Sequence, residues 1–218
     1  MNLEKYQQYS RIARGLEKAD LVLKNARIVN VFTEEIIRGD IAIQDGIIAG
    51  IGSFHGKEER DLAGRYVCPG FIDSHLHLES TLVTPAELVT VASRHGTTTF
   101  IVDPHESANV SGLAGIDYIL DQTEDVKANV YVMMPSCVPA TAIDDNGCTL
   151  TAEDMAPYLH NSRILGLGEV MDSISVVQGD KTMHDKLELF EGRIRDGHAP
   201  FLEEGDLQAY AMAGIATD

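Results

Sequence analysis

Short apolar runs rich in β-branched residues fill the first third of the chain; beyond Gly70 such runs alternate with longer amphipathic stretches. The early runs are Leu21-Val22-Leu23, Ala26 to Val31, Asp40 to Ile43 and Ile47 to Ile51. Asn25, Gly39 and the pair Asp45-Gly46 punctuate them, and Asp-Gly between two such runs predicts a hairpin turn. Residues 1–18, polar with scattered apolar positions, read as a short amphipathic helix or arm. The segment from Asp20 to about Cys68 is therefore a small all-β unit.

After Gly70 the rhythm is strand, loop, helix. Strands are predicted at Phe71-Ile72-Asp73, 97–102, 128–134, 164–170 and 193–197, with another starting at Ile215. Helices are predicted from Pro85 to about Gly96 and over 111–124, 151–160, 180–192 and 205–213. Thr84, Pro85 and Glu87 have the spacing of a capping box with proline in the first turn, and Thr151 reads as a second cap. Such alternation predicts an α/β chain of parallel βα units, closed as a barrel or left as an open sheet. The expected division is an arm at 1–19, a β unit at 20–68 and a βα region at 69–218.

Composition narrows the function. A formal charge of −17, from 17 Lys plus Arg against 34 Asp plus Glu, repels phosphate backbones and anionic lipid. Nucleic acid and membrane are thus not expected partners. No apolar run approaches the ~20 residues of a membrane span, and the charged start lacks a signal-peptide core. Three cysteines with no C-x-x-C pair suit a reduced cytoplasm.

The chemistry gathers at predicted strand ends. In Pro69-Gly70-Phe71-Ile72-Asp73-Ser74-His75-Leu76-His77-Leu78-Glu79-Ser80, residues two apart on a strand share a face. His75 and His77 can therefore present two imidazoles to one ion. Glu169 ends the apolar run Ile164 to Gly168, and an acid directly after such a run needs a partner, a role a cation fills. His198 follows the strand at 193–197 in a tight Gly-His-Ala-Pro loop and completes a His, His, Glu, His set for two transition metals. Asp103-Pro104-His105-Glu106 ends the strand 97–102, so His105 and Glu106 face the same mouth, as substrate contacts, supports of the ligands or further ligands. Glu79 and Asp172 join them as candidates of that kind. His55, His95, His160 and His184 read as solvated, and the Met133-Met134 pair and the aromatics as core. The H-x-E of His77-Leu78-Glu79 lacks the P-C-x-x-C half of the zinc nucleobase deaminases, because Ala140 stands at the second cysteine position. Dinucleotide, P-loop and G-x-S-x-G motifs are absent as well.

These segments resemble the metal-dependent amidohydrolase superfamily, and within it the branch that deaminates adenine. The resemblance is carried by Cys68 to Ser80, Gly96 to Thr99, Asp103-Pro104-His105-Glu106-Ser107-Ala108-Asn109-Val110, Gly166 to Asp172 and Asp196-Gly197-His198-Ala199-Pro200. It implies a (β/α)8 TIM-like barrel preceded by a small β-sandwich, of which this chain holds the first strands. It further implies a binuclear Mn²⁺ or Fe²⁺ centre, with Zn²⁺ as the alternative, bridged by Glu169 where many relatives use a carboxylated lysine. The implied reaction is hydrolysis of adenine to hypoxanthine and ammonia in the cytoplasm, by a homo-oligomer whose other partner is the purine. The catalytic acid–base aspartate and one more His ligand are expected beyond Asp218, so residues 1–218 alone are expected to be inactive. Two alternatives stand beside this reading: an amidohydrolase acting on a cyclic amide or other heterocycle, and a truncated, non-catalytic metal-binding fragment.

Overall fold

Residues 1–141 and 143–217 are described by the computed structural model, and the chain divides between Pro69 and Gly70 into two units. In the first unit, Asn2 caps helix α1 (Leu3–Ala13) by accepting from the Lys5 N–H. Five strands follow: β1 (Ala19–Asn30), β2 (Glu35–Gln44), β3 (Ile47–Gly52), β4 (Gly56–Asp61) and β5 (Tyr66–Val67). β1, β2 and β3 form an antiparallel meander, while β4 and β5 run parallel to β1. Asp45 and Gly46 both take positive φ, 52° and 75°, the conformation that two-residue hairpin turns favour. Ile12, Ala19, Val22, Ala42 and Phe54 make one small core, and Ala26, Ile28 and Ile41 a second. Strand β4 escapes pattern reading because it spells Gly-Lys-Glu-Glu-Arg-Asp and is exposed after Gly56. It is an edge strand, and charge on an edge discourages pairing with foreign strands.

The second unit runs β6 (Phe71–Leu76), α2 (Pro85–Ser93), β7 (Thr97–Val102), α3 (His105–Ser111), α4 (Leu113–Gln122) and β8 (Asn129–Pro135). It continues with α5 (Ala152–Met155), β9 (Ile164–Val170), α6 (Ser173–Gln178), α7 (Lys181–Leu189), β10 (Ile194–Gly197) and α8 (Glu204–Met212). The sheet is wholly parallel, in the order β10-β9-β8-β7-β6. Each strand lies beside its predecessor with no reversal. That excludes the doubly wound folds, whose order reverses at a switch point, and matches an arc of an α/β barrel. β8 and β9 are buried along most of their length, as parallel strands covered on both faces must be. Phe100, Ile116, Ile119, Val132, Met134, Leu167 and Phe190 centre the core.

The structure corrects several local expectations. Thr84 is the N-cap of α2, but its side chain makes no capping hydrogen bond, so the capping box there does not form. Thr151 does close one, with Asp154. His105 and Glu106 belong to the first turn of α3 rather than to the end of a strand. Phe32, Phe71 and Phe201 are exposed rather than core. Beyond α8, the described residues contribute a parallel bridge, Thr217 to Asp196.

Candidate metal centre

In a parallel α/β arc the strand C-termini all open on one side, so residues far apart in sequence converge there. β6 brings His75 and, just past its end, His77; the end of β7 brings Asp103, α3 brings His105 and Glu106, and β9 brings Glu169. The Nε2 atoms of His75 and His77 lie 3.2 Å apart. Glu169 faces both, Oε1 at 3.2 Å from His75 Nε2 and Oε2 at 3.3 Å from His77 Nε2.

The tautomers follow from the partners. His77 Nδ1 donates to the main-chain carbonyl of Asp103 at 2.7 Å; a carbonyl can only accept, so Nδ1 carries the hydrogen. His75 Nδ1 stands 3.4 Å from Asp196 Oδ2. Both Nε2 atoms are thereby directed inward beside a carboxylate. Two facing lone pairs and an anion in one place call for a cation, and ligating histidines are commonly fixed in this way through the other ring nitrogen.

Behind this group, Asp103 is buried with His105 Nδ1 2.5 Å from its Oδ1, and His105 Nδ1 is 3.5 Å from Glu169 Oε2. Asp103 Oδ1 has the His105 ring as its partner, while its Oδ2, equally buried, makes no hydrogen bond among the described residues. A carboxylate buried with one oxygen unpaired, in contact with an imidazole and close to a second acid, fits a site made for an ion. The electrostatics agree. Glu169 holds His77 up at about 9, and His77, with the neighbouring imidazoles, holds Glu169 down at about 2. Burial pushes the Asp103 carboxyl up. A metal ion would replace the proton these groups otherwise share.

Three sets of side chains have ligand atoms within 4.8 Å of one another: His75, His77 and Glu169; Asp103, His105 and Glu169; and His77, Glu79 and Glu106. Glu169 links the first two and His77 joins the third to the first. His198 stands further out, its Nδ1 3.9 Å from Glu169 Oε1. Asp172 is occupied as the N-cap of α6, accepting from Ser175 N–H at 3.0 Å. His55, His95, His160 and His184 are exposed.

Two residues of the cluster went unmarked in the sequence. Asp103 follows the apolar run of β7 as Glu169 ends that of β9, so the acid-after-strand signal was there to be read. It also explains Gly168: a Cβ at that position would lie 2.0 Å from Asp103 Oδ2. Asp196 precedes the Gly197-His198 pair and carried no signal of its own. Its position predicts that Asp196→Asn, which removes the anion beside His75 Nδ1, lowers divalent-metal affinity about 10–100-fold. A metal titration of the variant checks this, and unchanged affinity would remove Asp196 from the site.

A parallel α/β arc with imidazoles and carboxylates converging at its strand C-termini defines a barrel protein with a polar centre suited to divalent metal. The amidohydrolase family model matches residues 66–218, and the chain belongs to that family. It is 57% identical over its whole length to a protein named adenine deaminase from Desulfitobacterium hafniense strain Y51, covering 38% of that relative. Over 208 residues it is 49% identical to adenine deaminase of Clostridium acetobutylicum, covering 94% of this chain and 36% of the relative. Over 207 residues it is 47% identical to adenine deaminase 2 of Carboxydothermus hydrogenoformans, covering 95% of this chain and 36% of that one. The chain thus spans well under half the length of these relatives. A solved structure with the same fold is atrazine chlorohydrolase TrzN from Arthrobacter aurescens TC1, complexed with zinc. The likeness has a TM-score of 0.56 at 14% identity, over 90% of this chain and 64% of that one.

Proposed function

We propose that this chain carries the metal-binding part of an adenine deaminase, which hydrolyses adenine to hypoxanthine and ammonia. The observation that carries the reading is the pairing of Glu169 with His75 and His77, in a chain similar along its whole length to proteins of that name. His75, His77 and Glu169 would hold the metal with His198 at the rim, and Asp103 and His105 would support or extend the set. Imidazole and carboxylate donors suit Mn²⁺ or Fe²⁺, with Zn²⁺ as the alternative. The chemistry that a bound divalent pair supplies is Lewis acidity, which makes water a nucleophile near neutral pH.

The protein's own groups do the rest. His77, fixed by the Asp103 carbonyl, and His75, beside Asp196, keep their Nε2 atoms directed inward without reorganisation during reaction. Glu106, with Oε2 3.3 Å from His77 Nδ1 and Oε1 accepting from Ser80, places a carboxylate where purine N–H groups would enter. Glu79 Oε1 accepts from the Ser107 N–H and steadies the first turn of α3 that presents His105 and Glu106. We place the reaction in the cytoplasm, a reading supported by free Cys68, Cys137 and Cys148. Among the described residues no helix is long and apolar enough to cross a membrane.

The test is ammonia release from adenine by the whole protein that carries this chain, after loading with Mn²⁺. Metal-dependent turnover to hypoxanthine is the expected result. Stoichiometric metal with no ammonia from adenine would overturn the substrate and leave a metal-binding amidohydrolase domain.

A further inference from the structure

Lys186 is buried on the inner side of α7, between Met183 and Leu187. A buried ammonium is costly unless its donors are used. Here it donates to the main-chain carbonyl of Ser136 at 2.7 Å, just past the end of β8. Ser136 is itself fully buried. Its N–H reaches the Gly168 carbonyl at 3.3 Å, and its hydroxyl donates to the main-chain carbonyl of Glu169 at 2.7 Å. That carbonyl also accepts the Met171 N–H at 2.6 Å. Glu169 has φ +22°, a backbone conformation that non-glycine residues adopt only when their surroundings impose it.

We propose that Lys186 and Ser136 act in series as positioning residues for Glu169. The ammonium fixes the Ser136 carbonyl and so the tip of β8. The Ser136 hydroxyl then holds the Glu169 carbonyl, and the strained backbone swings the carboxylate between His75 and His77. This explains why a core position of α7 carries lysine where leucine would pack at less cost. Neither residue touches the metal ligands' donor atoms, and the proposal rests on the metal-centre reading above.

The test uses the whole protein that carries this chain, with Ser136→Ala, Lys186→Met (unbranched, one heavy atom shorter and without the ammonium) and the double substitution. Mn²⁺ affinity of the metal-free protein and its thermal unfolding are measured together. Each single change is expected to lower Mn²⁺ affinity about 10–100-fold, as loss of groups that orient ligands does. The double variant is expected to lose no more than the weaker-binding single, because Lys186 reaches Glu169 only through Ser136. Ser136→Thr, which returns the hydroxyl, is expected to recover affinity. Wild-type affinity in Ser136→Ala would overturn the relay, as would additive losses in the double variant. If Ser136→Ala does not fold, the same comparison of Mn²⁺ affinity in Lys186→Met decides. An unaltered protein that takes up no Mn²⁺ would overturn the metal-centre reading and the relay with it.

Discussion

Replacing His75 and His77 together by alanine is expected to abolish metal retention and, with it, turnover. Each ring supplies one inward Nε2 atom, and these two atoms stand 3.2 Å apart against the two oxygens of Glu169. With both gone, the inner cluster falls to Asp103, His105 and Glu169. A four-ligand structural zinc site contributes roughly 10–16 kcal/mol, so losing two donors leaves too little affinity to survive dialysis. The loss is expected at the site and not in the fold. His75 is exposed near the end of β6 and His77 lies just past it, so neither ring is part of the apolar core. Elemental analysis after dialysis decides the matter. Full metal stoichiometry in the double variant would sink the assignment of these histidines.

How far this site was legible in the sequence depends on the range of the interactions that make it. His75 and His77 are two residues apart on one strand, so their convergence is a property of β geometry and needs no partner. Glu169 was readable because an acid closing an apolar strand is conspicuous. The supports were not readable in the same way. Asp196 matters only because β10 ends beside β6's first histidine, and Ser136 only because β8 and β9 are neighbours. Lys186 reads in sequence as one more charged position on a helix; its burial is set by packing, 50 residues from the carbonyl it serves. At the level of the fold, β8 and β9 were plain from continuous apolar runs. The charged strand β4 and the seven-residue α3 carry too little pattern to be seen. The sequential strand order, which separates a barrel arc from an open doubly wound sheet, follows from pairing and not from periodicity.

The second large effect is expected at Glu169. Its two carboxylate oxygens are divided between partners: Oε1 faces His75, and Oε2 faces His77 and His105. A carboxylate in that position can give one oxygen to each of two ions, with a negative charge shared between them. Glu169→Gln keeps the shape and, since the residue is buried, keeps the packing. It replaces one oxygen by an amide nitrogen, which has donors but no available lone pair, and it removes the charge. The variant is therefore expected to lose at least one metal of the pair proposed above. It should also lose the negative charge that holds His77 up at about 9, so the neighbouring imidazole changes with it. Metal content per chain separates this from simple unfolding, because the isosteric change leaves β9 and the strained backbone at Glu169 in place. Two metals retained with normal turnover would reduce Glu169 to an acid that happens to close a strand. Loss of one metal with the fold intact would make it the residue around which the rest of the centre is arranged.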